Sequence, residues 1–230
     1  MKWINPYLEP RERMIRDQIA GRGVHDRRVI DAMRHVPREA FVPEECRPAA
    51  YSDQPLAIGE GQTISQPYIV AAMLAALGLQ GGERVLEIGT GSGYGAAVLA
   101  HIARAVHTIE RIPALARSAR ETLRRLGYDS VDVVEGDGTL GWDRAAPYDA
   151  IVATAHGPRI PPSLRAQLRP GGRLVMPVAD KERGQMLVRV VRAGSNGHDR
   201  TDQLEPVRFV PLIGAQGWPD DAPQGSVDLP

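Results

Sequence analysis

An apolar run ends in three alternating glycines in VLEIGTGSGYG, residues 85–95. Gly89, Gly91 and Gly93 can take backbone angles closed to other residues, and they let a ligand come close to the main chain. A tight structural turn has the same look, so the neighbouring residues decide what this one does. A dinucleotide fingerprint needs Gly or Ala at position 94, to pack a helix behind a pyrophosphate, but this chain has Tyr94. Glu110 closes the next apolar run, VHTIE, about 20 residues past the turn, where a carboxylate accepts hydrogen bonds from ribose hydroxyls. The alternative for Glu110 is an exposed salt-bridge partner. In GDG, Asp137 can accept an adenine amino proton, with Gly136 and Gly138 keeping that wall thin; as a lone motif GDG reads as a turn.

Glu87 places a carboxylate inside an apolar strand just before the glycines. Burying it unpartnered is costly, and a ligand ammonium or a chain of ordered waters resolves the cost. An acid facing an amino group, beside a ribose acid and an adenine wall, describes S-adenosylmethionine better than a pyrophosphate dinucleotide. No GxxxxGK[ST] sequence is present, which argues against a P-loop nucleotidase.

These residues need strands and helices to position them. RVLEIG, AVHTIE, VDVVEG, YDAIVAT and GRLVMPV read as strands, alternating with helices over SGYGAAVLAHI, IPALARSARETLRRLG and SLRAQL. That rhythm predicts a largely parallel, helix-covered α/β sheet. Ahead of it, helices are expected from Pro6 to about Arg22 and from about Asp26 to Met33, followed by ordered loops over AYSDQPLAIGEGQTISQPY and a helix opened by Pro67. After it, QMLVRVVRAG and LEPVRFVPL predict antiparallel strands joined through SNGHDRTDQ. The resulting division is a helical cap with a polar loop over 1–79, a core over 80–214, and a mobile tail over 215–230 in which only Trp218 has much to bury.

Composition narrows the partners. Lys plus Arg number 28 against 28 Asp plus Glu, so there is no net charge to recruit nucleic acid by counterion release. The lone cysteine, Cys46, can form no internal disulfide, which fits a reducing compartment, and is expected to be structural. No apolar stretch reaches membrane-span length and no signal peptide is evident, so a cytoplasmic protein is expected. The histidines show no ligand-like spacing, and no metal is expected.

The chain resembles the protein-L-isoaspartate O-methyltransferases. The resemblance rests on VPREAFV (36–42), AYSDQPLAIGEGQTISQPYIVA (50–71), VLEIGTGSGYGAAVLA (85–100), EGDG (135–138), YDAIVATA (148–155), PGGRLVMPV (170–178) and VRFVPL (207–212). GQTISQP ahead of a helix is far more specific to this family than the glycine turn. The resemblance implies a Rossmann-like, doubly wound α/β fold with a mostly parallel sheet, helices on both faces, an N-terminal helical cap and antiparallel C-terminal strands. It also implies transfer of a methyl group from S-adenosylmethionine to the free α-carboxylate of L-isoaspartyl residues in damaged proteins and peptides, and more weakly to D-aspartyl side chains. The ester would then cyclise to a succinimide, whose hydrolysis restores part of the aspartate. Ser65 matches the active-site serine, and Thr63, Ile64 and Gln66 its loop. Val210, Pro211 and Leu212 match the segment bordering the peptide. Gly89 and Gly91 match the cofactor turn, Glu110 the ribose-binding acid and Asp137 the acid beside adenine, while Glu87 and Gly138 join the expected cofactor site by their positions alone. A monomer is expected.

One residue departs from the family pattern: His156 stands where a small residue is usual. A carboxylate nucleophile is already ionised near neutral pH and has no proton for a base to remove, so His156 reads as a lining or loop residue. Ser65 as a covalent nucleophile is disfavoured, because no acyl intermediate is needed. The competing functions are a peptide-tailoring aspartate methyltransferase and a non-catalytic cofactor-binding protein.

Overall fold

The computed structural model describes residues 5–194 and 197–221. Its centre is a seven-stranded sheet. The strands are β3 (Arg84–Ile88), β4 (Ala105–Glu110), β5 (Val131–Glu135), β6 (Tyr148–Ala153), β7 (Leu168–Asp180), β8 (Gly184–Val191) and β9 (Arg200–Pro206), in the order β5-β4-β3-β6-β7-β8-β9. β5, β4, β3, β6 and β7 are parallel, while β8 and β9 return antiparallel.

Side chains alternate across a strand, so each central strand feeds both faces. Val85, Val106, Val152 and Val175 enter one apolar cluster, and Leu86, Ile88, Ile151 and Leu174 enter the other. This double burial explains why these strands read as largely apolar runs rather than as an alternation of apolar and polar residues. Against the first face lie α3 (Pro67–Leu77), α4 (Tyr94–Ala100) and α5 (Pro113–Arg125); α6 (Pro162–Gln167) covers the second through Leu164. The chain steps outward from β3 to β4 and β5, then crosses back to the far side of β3 with β6. The strand ends at that reversal leave a crevice, the usual ligand site of such sheets.

The N-terminal region begins with α1 (Leu8–Arg13), continues through a wider π-helical stretch over Met14–Ile19, and closes in a short turn at Ala20–Arg22. The helix α2 (Arg27–His35) follows, capped by Asp26, which accepts from the Arg28 amide at 2.9 Å. Met14, Ile19 and Met33 are buried in the same cluster as Ala97 and Leu99, so this region shares the core of the sheet.

Three expectations are corrected. The segment read as loops between residues 50 and 68 contains a hairpin, β1 (Leu56–Gly59) and β2 (Gln62–Ile64). Its turn is Gly59-Glu60-Gly61, all at positive φ, and the glycines that suggested a loop are what a tight hairpin turn demands. The last strand runs Arg200–Pro206, beginning inside the expected connection and ending earlier than LEPVRFVPL implied: the Val207 amide still donates to the Gln185 carbonyl at 3.1 Å, but at Phe209 the Gln185 side chain replaces the ladder, its Oε1 accepting from the Phe209 amide at 2.7 Å and its Nε2 donating to the Phe209 carbonyl at 3.1 Å. Residues 195–196 of the proposed SNG connection lie outside the described residues. Of the expected mobile tail, residues 215–221 are folded: the Ala215 amide donates to Asp137, and Trp218 Nε1 donates to the His156 carbonyl. The part of that expectation covering 222–230 lies outside the described residues.

Candidate active site

A cavity of about 420 Å³ opens where β3 and β4 end, within the usual size for small-molecule sites. The glycine turn forms its floor. Gly89, Gly91 and Gly93 have φ of 91°, 53° and 91°. A side chain at Gly89 would collide with the Thr154 hydroxyl, which itself donates to the Gly89 carbonyl at 2.9 Å. The turn is therefore pinned by the residue that follows β6 and by β4, whose Ile109 carbonyl accepts from the Gly89 amide at 2.9 Å.

Glu110 stands beside it, nearly buried. Its Oε2 accepts from the Gly91 amide at 2.9 Å and its Oε1 from the Ile112 amide at 3.0 Å. Each oxygen keeps a second lone pair, so the carboxylate is held rigid and can still accept two hydroxyls. Glu87 lies deeper, 2% exposed. Thr108 donates to its Oε2 at 2.6 Å, and the Thr90 and Thr108 hydroxyls are 2.7 Å apart. Burial pushes the Glu87 pKa up to about 8, against the opposing effect of the Thr108 hydrogen bond; the Glu110 charge adds to the rise. A cationic group brought into the cavity would favour ionised Glu87.

The roof comes from two distant parts of the chain. Thr63, Ile64 and Ser65 follow the hairpin turn, and Val210, Pro211 and Leu212 run past the end of the sheet; all six line the cavity. The second segment is held by His156, whose amide donates to Val210 O and whose carbonyl accepts from the Leu212 amide, both at 2.8 Å. His156 Nδ1 donates to Phe209 O at 3.0 Å, and His156 is not part of the cavity wall.

Of the predicted residues, Ser65, Thr63, Ile64, Glu87, Gly89, Gly91, Glu110, Gly138, Val210, Pro211 and Leu212 meet in this cavity. Two do not. Gln66 occupies the N-cap position of α3 and turns its side chain to the Asp53 carbonyl, 3.1 Å away. Asp137 faces an adjoining cleft with Arg111, Glu135 and Trp218. Its Oδ1 accepts from the Thr139 amide (2.8 Å) and hydroxyl (2.6 Å), and its Oδ2 accepts from the Ala215 amide (2.8 Å). One lone pair remains for a ligand amino group. Sequence reasoning missed Thr154, Ile112 and Tyr94 as wall residues; they carry no motif signal of their own and enter only through strand register and helix packing. Among the described residues, no group of three or more His, Cys, Asp or Glu could hold a metal ion.

The family model for protein-L-isoaspartate(D-aspartate) O-methyltransferases matches residues 9–223. This chain belongs to that family. A protein-L-isoaspartate O-methyltransferase of Rhodopseudomonas palustris (strain HaA2) is 60% identical over 224 residues, 97% of this chain and 91% of the relative. Another, from Pelobacter propionicus, is 57% identical over 208 residues, 90% of this chain and 92% of the relative. Among solved structures, a protein-L-isoaspartate O-methyltransferase superposes with a TM-score of 0.80 at 29% identity, covering 90% of this chain and 67% of the other. A Plasmodium falciparum chain, described as a protein-L-isoaspartate O-methyltransferase in complex with S-adenosyl-L-homocysteine, gives 0.76 at 25% identity, covering 91% and 99%. Membership in the isoaspartate methyltransferase family therefore extends over the cap, the sheet and residues 215–221, and the Rossmann-like fold expected from the sequence is the one observed.

Proposed function

We propose that this protein methylates the free α-carboxylate of L-isoaspartyl residues in damaged proteins and peptides, and D-aspartyl side chains more weakly, with S-adenosylmethionine as donor. The observation that carries the reading is the convergence of the Ser65 loop with the Gly89–Gly91 turn and Glu110 in one cavity. The acceptor side is drawn from Thr63–Ser65 and Val210–Leu212, and the cofactor side from the residues at the ends of β3 and β4.

The donor set fits this cofactor. Glu110 offers two free lone pairs at a strand end for a ribose diol, Glu87 is a buried carboxylate suited to an ammonium, and Gly138 opens the adjacent wall. When bound, S-adenosylmethionine supplies an electrophilic methyl group on a sulfonium sulfur. The chain's own task is alignment. The Ser65 hydroxyl and the amides of its loop orient the carboxylate oxygen at about 3 Å from the carbon it attacks, a proximity effect that can be worth several kcal/mol. Neutral donors hold a carboxylate without damping it as a direct arginine contact would. No base is required, in keeping with the position of His156 behind the wall.

A monomeric, cytoplasmic enzyme is part of the same proposal: one chain contributes both halves of the cavity, and a single cysteine fits a reducing compartment. Among the described residues, no helix is long and apolar enough to cross a membrane. The test is methyl transfer to matched peptides containing L-isoaspartate or L-aspartate. Transfer to the first alone is expected; comparable transfer to both would end the repair assignment, and transfer to neither would revive the dedicated-peptide or binding-protein alternatives.

A further inference from the structure

Arg38 is fully buried, at 0% exposure, and nothing in the methyl-transfer chemistry above uses it. It lies in the short turn Arg38–Phe41 after α2. Its Nε donates to the Ala50 carbonyl and its Nη2 to the Ser65 carbonyl, each at 2.7 Å. Ala50 and Ser65 bracket the segment that carries β1 and β2, so one planar fork fastens both ends of the substrate hairpin. The same guanidinium carbon sits 4.9 Å from the centroid of the Tyr94 ring. Tyr94 opens α4 directly after the glycine turn and lines the cavity.

The charge on this fork is poorly compensated. Among the described residues no ion pair engages Arg38, and its Nη1, like the neighbouring Tyr94 hydroxyl, makes no hydrogen bond of regular geometry, so its nearest polar company is a neutral phenol. Its neighbour Glu39 is occupied by Arg11 and by the Tyr51 hydroxyl. Burial pulls the Arg38 pKa below its usual value, yet a guanidinium stays protonated near neutral pH. A buried cation without a counter-charge is costly, and an anion bound one peptide unit away offsets that cost.

We propose that Arg38 is a positioning residue for the substrate loop: its fork sets the Ser65 segment against the cofactor turn, and its buried charge gives that segment a preference for a carboxylate over a neutral amide. The inference rests on the assignment of Ser65 to a carboxylate substrate.

The test measures binding of an isoaspartyl peptide and of its counterpart with the free α-carboxylate converted to a carboxamide, using full-length protein saturated with S-adenosylhomocysteine. Wild type should favour the acid. Arg38→Met should reduce the acid-over-amide ratio about tenfold, the order expected of a unit charge acting across a peptide unit at an effective dielectric of about 20. Arg38→Lys keeps the charge but not the two-carbonyl fork, so it should retain most of the ratio while kcat falls and KM changes little. An unaltered ratio in Arg38→Met, with S-adenosylhomocysteine affinity intact, overturns the proposal. If that variant fails to bind S-adenosylhomocysteine, Arg38→Lys decides alone: reduced kcat with the acid preference kept supports the proposal, and wild-type kcat refutes it. A wild-type protein that binds the amide as well as the acid removes the carboxylate reading of Ser65, and Arg38's role falls with it.

Discussion

Trp218 Nε1 donates to the His156 carbonyl at 3.0 Å, across 62 positions of sequence. The same carbonyl accepts from the Leu212 amide, and the Trp218 amide donates to the Leu212 carbonyl, each at 2.8 Å. The wall at Val210–Leu212 is thus clamped from both sides. Trp218→Phe keeps a ring and loses the donor, so it should destabilise the protein by about 0.5–1.5 kcal/mol. Because Leu212 lines the cavity, KM for an isoaspartyl peptide should rise more than kcat falls. Steady-state kinetics beside urea unfolding would check this; a pure kcat defect would contradict it.

Glu110→Ala removes the acceptor held by Gly91 and Ile112. Affinity for S-adenosylmethionine and S-adenosylhomocysteine should fall alike, by about 1.5–3 kcal/mol as for hydrogen bonds to a charged group, because both carry the same ribose. Isothermal titration decides it: unchanged affinity would remove Glu110 from the site, and tighter binding of NAD would overturn the methyltransferase reading.

Ser65→Ala should slow single-turnover methyl transfer by about 1–3 kcal/mol, through loss of an orienting donor, while leaving cofactor affinity nearly unchanged. A wild-type rate in this variant would remove the positioning role. A modified Ser65 that forms and decays at the catalytic rate, seen by mass spectrometry, would establish covalent catalysis instead.

Glu87 gives the ligand-free protein a pH signature. Its pKa rises from 4.5 to about 8 on folding, so between those values the folded chain holds a proton that the unfolded chain has lost. Stability therefore falls as pH rises through that window. Urea midpoints measured at pH 5, 6.5 and 8 should decline more steeply for wild type than for Glu87→Gln, which cannot ionise. Parallel pH profiles in the two proteins would show that Glu87 stays ionised in the folded state.

The strands β3 to β8, the helices between them, the glycine turn and the two acids at 87 and 110 were legible in the sequence because their signals are local. Apolar runs of strand length, a Pro67 at a helix start and a carboxylate closing an apolar run each state their role within a few residues. Tertiary structure decided where long-range partners compete. Asp137 spends three of its four lone pairs on Thr139 and Ala215, Gln66 turns to Asp53, and residues 215–221 gain their order from His156, Asp137 and Thr139. Nothing in VPREAFV names the partners of Arg38; only folding brings Ala50, Ser65 and Tyr94 around it. Chain periodicity reports which face of an element is apolar, but a polar group's partner is set by which distant backbone atoms arrive within about 3 Å of it, and that distance exists only after the sheet and the cap have packed.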